Sequence, residues 1–160
     1  MQVNTIAKKQ RGVSLVELVA TIVLVGILAV SVIPRFTSRG GIVEFALRDQ
    51  IAALYLQAQQ RAMFDHSGAC YSLKIDTGEA RVEKDGAPLG AESRIAFNGD
   101  FAGLSVTSIN LFLDPLGNVL TGGANCAAAS NPGAAINISI SGSSNANIII
   151  HPTGYVARNL

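Results

Sequence analysis

"KKQRGVSLVELVATIVLVGILAVSVIPRF", residues 8–36, decides how the rest of the chain is read. Leu18 to Ile33 carries no charge, and with Val13 to Val16 the run is interrupted only by Glu17. As a helix, Val13 to Pro34 extends roughly 33 Å, enough to cross a hydrocarbon core of about 30 Å. The run is apolar on every face and not along one stripe, a membrane pattern and not that of a surface helix. Lys8, Lys9 and Arg11 precede it, which predicts a cytoplasmic N-terminal end. Arg35 and Arg39 weaken this bias without reversing it. The residues beyond are then expected to face the periplasm or the outside.

The totals narrow the function classes. A chain of 160 residues fits one modest domain plus an extension. With 49% hydrophobic and 14% charged residues it is not a disordered composition. The net charge is +1, and three of the twelve basic residues lie before Val13. The nine that remain face eleven acids, so the rest of the chain is mildly acidic and a poor generic nucleic-acid binder. A zinc site needs about four ligands, and Cys70 and Cys126 with the scattered His66 and His151 make a weak candidate. In an exported chain a disulfide is expected from the two cysteines; in a reducing compartment, two buried thiols.

Glu17 needs a reason. A carboxylate inside a membrane costs a few kcal/mol and by default marks function with a partner. An ordinary signal anchor does not explain it. Neither does a cleaved secretory signal ending at the small-residue stretch Ala29-Val30-Ser31. A cut after Gly12 does, because Val13 then carries a free α-amino group four residues before Glu17. On a neighbouring subunit that amine can pair with Glu17 in an apolar bundle, and the pairing favours one axial register.

"GVSLVELVATIVLVGILAVSVIPRF" closely resembles the N-terminus of type IV pilins and type II secretion pseudopilins. Gly12 matches the residue before the prepilin peptidase cut, Val13 the first mature and N-methylated residue, and Glu17 the acidic fifth position. Gly26 and Pro34 fall where the family often has a helix glycine and a helix-kinking proline. Val13 stands where Phe is usual, and Ser14 where Thr is. The resemblance implies processing by a prepilin peptidase and extraction from membrane lipid into a helical filament. The implied partners are other major and minor pilins, an inner-membrane platform protein and an assembly ATPase.

After Pro34 the pattern changes. Ile42, Phe45, Leu47, Ile51, Leu54, Leu56, Ala58 and Met63 recur at three and four spacing, predicting an amphipathic helix from about Ile42 to Phe64. Gly40-Gly41 reads as a hinge before it, and Ser67-Gly68 ends it. From Cys70 the period falls to two. A hairpin is expected over "CYSLKIDTGEARVEKDG", with turns at Thr77-Gly78 and Asp85-Gly86. Further strands are expected at 93–97, 104–107, 109–113, 135–141 and 147–151. "GGANCAAASNPG", residues 122–133, reads as a loop that Cys126 tethers.

The predicted organisation is a cleaved leader (1–12), a transmembrane and filament-core helix (13–38), an amphipathic helix (39–66) and a β-rich globular domain (67–160). The fold class is α+β, with a long helical spine packed on a small, mostly antiparallel sheet. "LFLDPLGNVLTG", "INISISG" and "NIIIHPTGYV" further resemble the C-terminal pattern of H-type minor pseudopilins and related minor pilins, with Pro115, Gly117, Thr153 and Gly154 matching. The whole looks most like a minor pilin of the mannose-sensitive haemagglutinin type, active in adhesion or motility. A type II secretion pseudopilin, a DNA-uptake minor pilin and an enzyme on a plain anchor are the alternatives. DNA uptake calls for a basic patch, and the five basic residues after Arg61 alternate with acids. For an enzyme there is no P-loop, GxSxG or HExxH, and no cofactor is expected. Asp76, Glu79, Glu83 and Asp85 are expected to form a solvated acidic rim in preference to a calcium site.

Overall fold

The computed structural model describes residues 14–37 and 41–159, with side chains over 14–28 and 41–157. The chain divides after residue 39 into two compact units, each taken by itself.

The first unit is a single helix, α1 (Leu15–Thr37). Its first turn closes with the Leu18 N–H donating to the Ser14 carbonyl at 3.0 Å. Every described side chain on it is exposed. Among the described residues no helix is long and apolar enough to cross a membrane. The side chains of Ala29 to Pro34, which complete the apolar run, lie outside the described residues.

The second unit opens with α2 (Ile42–Phe64), the bounds that the three-and-four spacing predicts. Its buried seam differs from that spacing. Glu44, Leu47, Arg48, Ile51, Tyr55, Ala58 and Ala62 face inward, whereas Ile42, Leu56 and Met63 are 70%, 41% and 46% exposed. The buried seam runs through Leu47, Ile51, Leu54, Tyr55 and Ala58, and at about 100° per residue Leu56 falls beyond its edge on the side away from Leu54.

The strands form two sheets, not the single one expected, and all pairings are antiparallel. The first sheet contains β1 (Tyr71–Ile75), β2 (Glu79–Lys84), β3 (Ala87–Pro88), β4 (Arg94–Ala96), β6 (Ile109–Leu113) and β7 (Val119–Leu120). Its order is β3-β2-β1-β6-β7, and β4 shares the outer edge of β2 with β3. The second sheet contains β5 (Ser105–Val106), β8 (Ile136–Ser141), β9 (Asn145–Ile150) and β10 (Val156–Asn159), in the order β10-β9-β8-β5.

Strand alternation then sorts the faces. Leu73 lies opposite Val82 on one side and Leu111 on the other, and all three are buried. In the second sheet Ile138 lies opposite Ile148, and Ile140 opposite Ala146, again all buried. These rows meet Leu47, Ile51, Tyr55 and Ala58 of α2 in one core that spans both sheets. Each fully buried Leu or Ile contributes about 1.5–3 kcal/mol through removal of apolar area from water.

Candidate functional site

The residues singled out at the N-terminus are only partly within view. Gly12 and Val13 lie outside the described residues, as does the side chain of Pro34. Glu17 lies in the first turn of α1, where a carboxylate suits the positive end of the helix dipole. Around it Leu15, Val16, Leu18 and Val19 are 78%, 74%, 58% and 45% exposed. The next turns repeat this, with Ile22 to Val25, Ile27 and Leu28 all more than half exposed. Apolar side chains point outward all around this helix. A Cβ built at Gly26 meets nothing within 4 Å, so the glycine leaves one smooth spot on that surface. An apolar surface of this kind is a site for lipid or for other apolar helices.

Cys70 and Cys126 form a disulfide, with Cα atoms 5.6 Å apart. Cys70 stands just before β1, and Cys126 lies in the loop between β7 and β8 that the sequence reading left to it. The bridge tethers that loop across the first sheet.

The tail motif resolves into two turns that α2 holds together. Asp114 organises the first: its Oδ1 accepts the N–H groups of Leu116 and Asn118 at 2.9 and 2.7 Å. The Gly117 N–H closes the turn on the Asp114 carbonyl. The second turn joins β9 to β10, with the His151 N–H on the Tyr155 carbonyl and the Gly154 N–H on the His151 carbonyl. Gln59 Nε2 donates to the carbonyls of both Gly117 (2.8 Å) and Gly154 (3.1 Å). The Tyr55 hydroxyl adds a third donor, 3.2 Å from the Gly154 carbonyl. The Val119 N–H reaches the Pro152 carbonyl at 2.9 Å, so the two sheets are also stitched directly. Gly154 has φ 82°, and a Cβ there collides with the Gly117 carbonyl oxygen and with Gln59 Nε2. Pro115, Gly117, Thr153 and Gly154 therefore belong to one structural node. The sequence marked its turns but gave no sign of Gln59, whose long polar side chain reads as solvent-facing.

The acidic hairpin is not the solvated rim expected. Glu79, Arg81 and Glu83 alternate along β2 and so share one face. Arg81 Nη1 meets Asp76 Oδ2 (2.8 Å) and Glu79 Oε1 (2.6 Å), and its Nε meets Glu83 Oε1 (2.8 Å). Arg94 pairs with the other Glu79 oxygen. Burial works against the Arg81 charge, but Glu83, Glu79 and Asp76 outweigh it and hold the guanidinium protonated well above its ordinary range. Among the described residues no group of three or more His, Cys, Asp or Glu is placed to hold a metal.

Two further carboxylates fasten α2 at its ends. Glu44 Oε1 accepts the Ser144 N–H at 3.0 Å, which ties the first turn of the helix to the β8–β9 hairpin. That backbone donor holds the Glu44 carboxyl below its usual range. At the other end Asp65 accepts from Lys84 Nζ, the Tyr71 hydroxyl and the Ser67 N–H, each at 2.8 Å. The Lys84 ammonium is the main reason that the Asp65 carboxyl lies far below the ordinary range. His66 and His151 sit past the ends of α2 and β9 as expected. The His66 ring rests on the Phe64 carbonyl, and His151 packs on Tyr155 with ring centroids 5.6 Å apart.

No curated protein and no solved structure matches the chain. Residues 7–33 do match a family model, the prokaryotic N-terminal methylation motif. That match spans the end of the leader, Glu17 and the apolar run as far as Ile33, and it supports a type IV pilin-like or pseudopilin protein.

Proposed function

We propose that the chain is a minor pilin of the mannose-sensitive haemagglutinin type, cut after Gly12 and N-methylated at Val13. The inner membrane holds it by one span before assembly, with the β-domain in the periplasm. A platform protein and an ATPase then move it into an extracellular filament, where it initiates or caps the fibre and supports adhesion or motility. The observation that carries this reading is α1 itself: a helix apolar on every described side, with one carboxylate, Glu17, in its first turn. A filament core of such helices buries the apolar surface. A neighbour's N-terminal amine four residues ahead of Glu17 in the sequence gives that carboxylate a partner.

The test is the N-terminal residue and intact mass of the protein purified from its native membrane. A start at Val13, with or without one added methyl, is the expected result. A start near Val32, or an uncut Met1, removes the assembly role of Glu17. The H-type resemblance of the tail, which rests on Pro115, Gly117, Thr153 and Gly154, favours a second reading as a type II secretion pseudopilin. Deleting the gene separates the two: surface filaments are lost for the first, export of folded proteins for the second.

A further inference from the structure

Asn98-Gly99 is the only asparagine–glycine pair in the chain. It stands between β4 and a single 3-10 turn, Gly99–Phe101, and both residues are exposed. Such a pair can react with itself. The side-chain amide carbon and the backbone nitrogen of the next residue can close a five-membered ring, and their fixed proximity replaces an encounter in solution. The reaction needs a nitrogen that is free to attack, a side-chain amide that nothing holds, and a backbone able to turn.

Asn98-Gly99 meets all three needs. The Gly99 N–H donates to no acceptor among the described residues. The Asn98 side chain does not cap the turn that it precedes, and it enters no hydrogen bond among the described residues. The turn is closed by the Phe101 N–H on the Asn98 carbonyl at 3.1 Å and the Ala102 N–H on the Gly99 carbonyl at 3.2 Å. A lone turn of this tight kind is loosely held. Gly99 has no side chain to hinder the approach, and a Cβ built on it meets nothing within 4 Å, so no neighbour packs over the site.

The other described asparagines are held. Asn118 Nδ2 donates to Asp114 Oδ2 at 2.8 Å, and the next nitrogen, that of Val119, donates to the Pro152 carbonyl. Asn125 Oδ1 accepts the Ala128 N–H, and the next N–H, that of Cys126, is engaged with Cys70 Sγ. Asn131 precedes Pro132, whose nitrogen carries no hydrogen. The rest lie in β6, β8, β9 and β10, where pairing fixes the peptide units.

We propose that Asn98-Gly99 is a site of self-modification, which converts with age to aspartate and isoaspartate. The Gly99 nitrogen gives its proton to solvent base and bonds to Asn98 Cγ. The Cγ–Nδ2 bond breaks, and Nδ2 takes up a proton and leaves as ammonia. Water then opens the resulting succinimide at either carbonyl. One opening restores the main chain with an aspartate; the other leaves the main chain running through the side chain, as isoaspartate. One water enters and one ammonia leaves, with no change of oxidation state. Either product places a new negative charge beside Asp100. Isoaspartate also lengthens the backbone by one methylene between two anchors. These are Phe97, whose N–H is held by the Gly78 carbonyl at 2.8 Å, and Phe101, which packs against the core. The site lies in the second unit and is independent of the assembly reading.

The test ages the full purified chain in detergent micelles at neutral and at mildly alkaline pH, then maps its tryptic peptides after reduction of the disulfide. No lysine or arginine lies between Arg94 and Arg158, so one peptide carries Asn98 and every asparagine from 110 to 147. Electron-transfer fragmentation places the exchange of NH2 for OH and separates aspartate from isoaspartate. Conversion is expected at Asn98 ahead of every other asparagine, to both products, and faster at the higher pH. Its rate is expected to be of the same order in the folded chain as in urea. Gly99→Ala, whose methyl hinders the attack, is expected to slow conversion by about tenfold, equivalent to about 1.4 kcal/mol of barrier. Asn98→Gln, which needs a six-membered ring and keeps the glycine, is expected to stay unmodified and to retain the amide NMR pattern of the core. Protection of Asn98 in the folded chain relative to urea, earlier conversion of another asparagine, or an equal rate in Gly99→Ala would each overturn the proposal.

Discussion

α1 and the second unit solve opposite problems with similar residues. Leu18 and Leu28 of α1 are 58% and 56% exposed, whereas Leu47, Leu73 and Leu111 of the second unit are fully buried. In the second unit each apolar row finds another row, and most of its inward charge finds a named partner. In α1 the described apolar side chains are exposed. The difference teaches that stability and assembly are written in separate segments. The second unit has its own core and its own ties, and on the function proposed above α1 is completed from outside, by lipid or by other helices.

The sharpest way to break this comparison is Glu17→Ala. If α1 serves only assembly, the variant is lost from filaments while the thermal midpoint of the purified protein stays within about 1 °C of the parent, since an exposed substitution shifts stability by less than about 0.5 kcal/mol. Normal incorporation would sink the pairing with a neighbour's amine.

The reverse experiment damages the second unit and asks whether assembly follows. Gly154→Ala places a Cβ at φ 82° against the Gly117 carbonyl and Gln59 Nε2. Backbone strain and overpacking together are expected to cost about 2–5 kcal/mol, read as a fall in the urea midpoint. Gln59→Ala, which removes the side chain that the new methyl meets, loses two hydrogen bonds and is expected to cost less, about 1–3 kcal/mol. Equal losses in the two variants would mean that the close approach of the turns is not what Gly154 secures.

Next in size stands the disulfide. Reducing Cys70–Cys126 frees a loop of sequence separation 56, and the loss expected is about 2–4 kcal/mol. Because both cysteines belong to the second unit, α1 helicity in micelles, followed by circular dichroism, is expected to survive.

The same comparison explains what could be read from the sequence. α1 was legible because its signal is local: an unbroken apolar run with one acid in register. The bounds of α2 were legible for the same reason, and Ile109 to Leu113 because alternation is a local pattern too. The division into two sheets was not, since β5 and β6 are separated only by Thr107 and Ser108 yet join different sheets. The pairing of β1 with β6 joins residues far apart in sequence, which no short window contains. Strands β3 and β7, two residues each, were too short to show a period. Buried charge was the other blind spot. Nothing local marks Glu44 or Arg48 as buried, since charged residues usually face solvent, and Glu83 was expected on a solvated acidic rim. Their partners, the Ser144 amide, Asp49 and Arg81, are visible only after folding. Even so, Glu79-x-Arg81-x-Glu83 was a local clue, because period two puts opposite charges on one strand face.

The smallest effect expected is also the most diagnostic of how α2 is fastened. Asp65 is held ionised by Lys84, Ser67 and Tyr71, and its folded carboxyl lies far below the ordinary value of 3.8. A depressed folded pKa means that the unfolded chain binds the extra proton first. Stability from this group is therefore fully present above pH 3.8 and is lost as pH falls from there through the folded value. Glu44, also depressed, adds to the same slope below its ordinary value of 4.5. Urea midpoints measured from pH 6 down to pH 3 are expected to be flat at first and then to fall. Asp65→Asn keeps acceptor and size but has nothing to titrate, so it is expected to lower the plateau and flatten the acid limb. Glu44→Gln is expected to do the same more weakly, since its carboxylate receives backbone donors and no ammonium. An acid limb unchanged in both variants would mean that neither carboxylate carries the acid sensitivity, and that ionisation of Asp65 and Glu44 is not what fastens the two ends of α2.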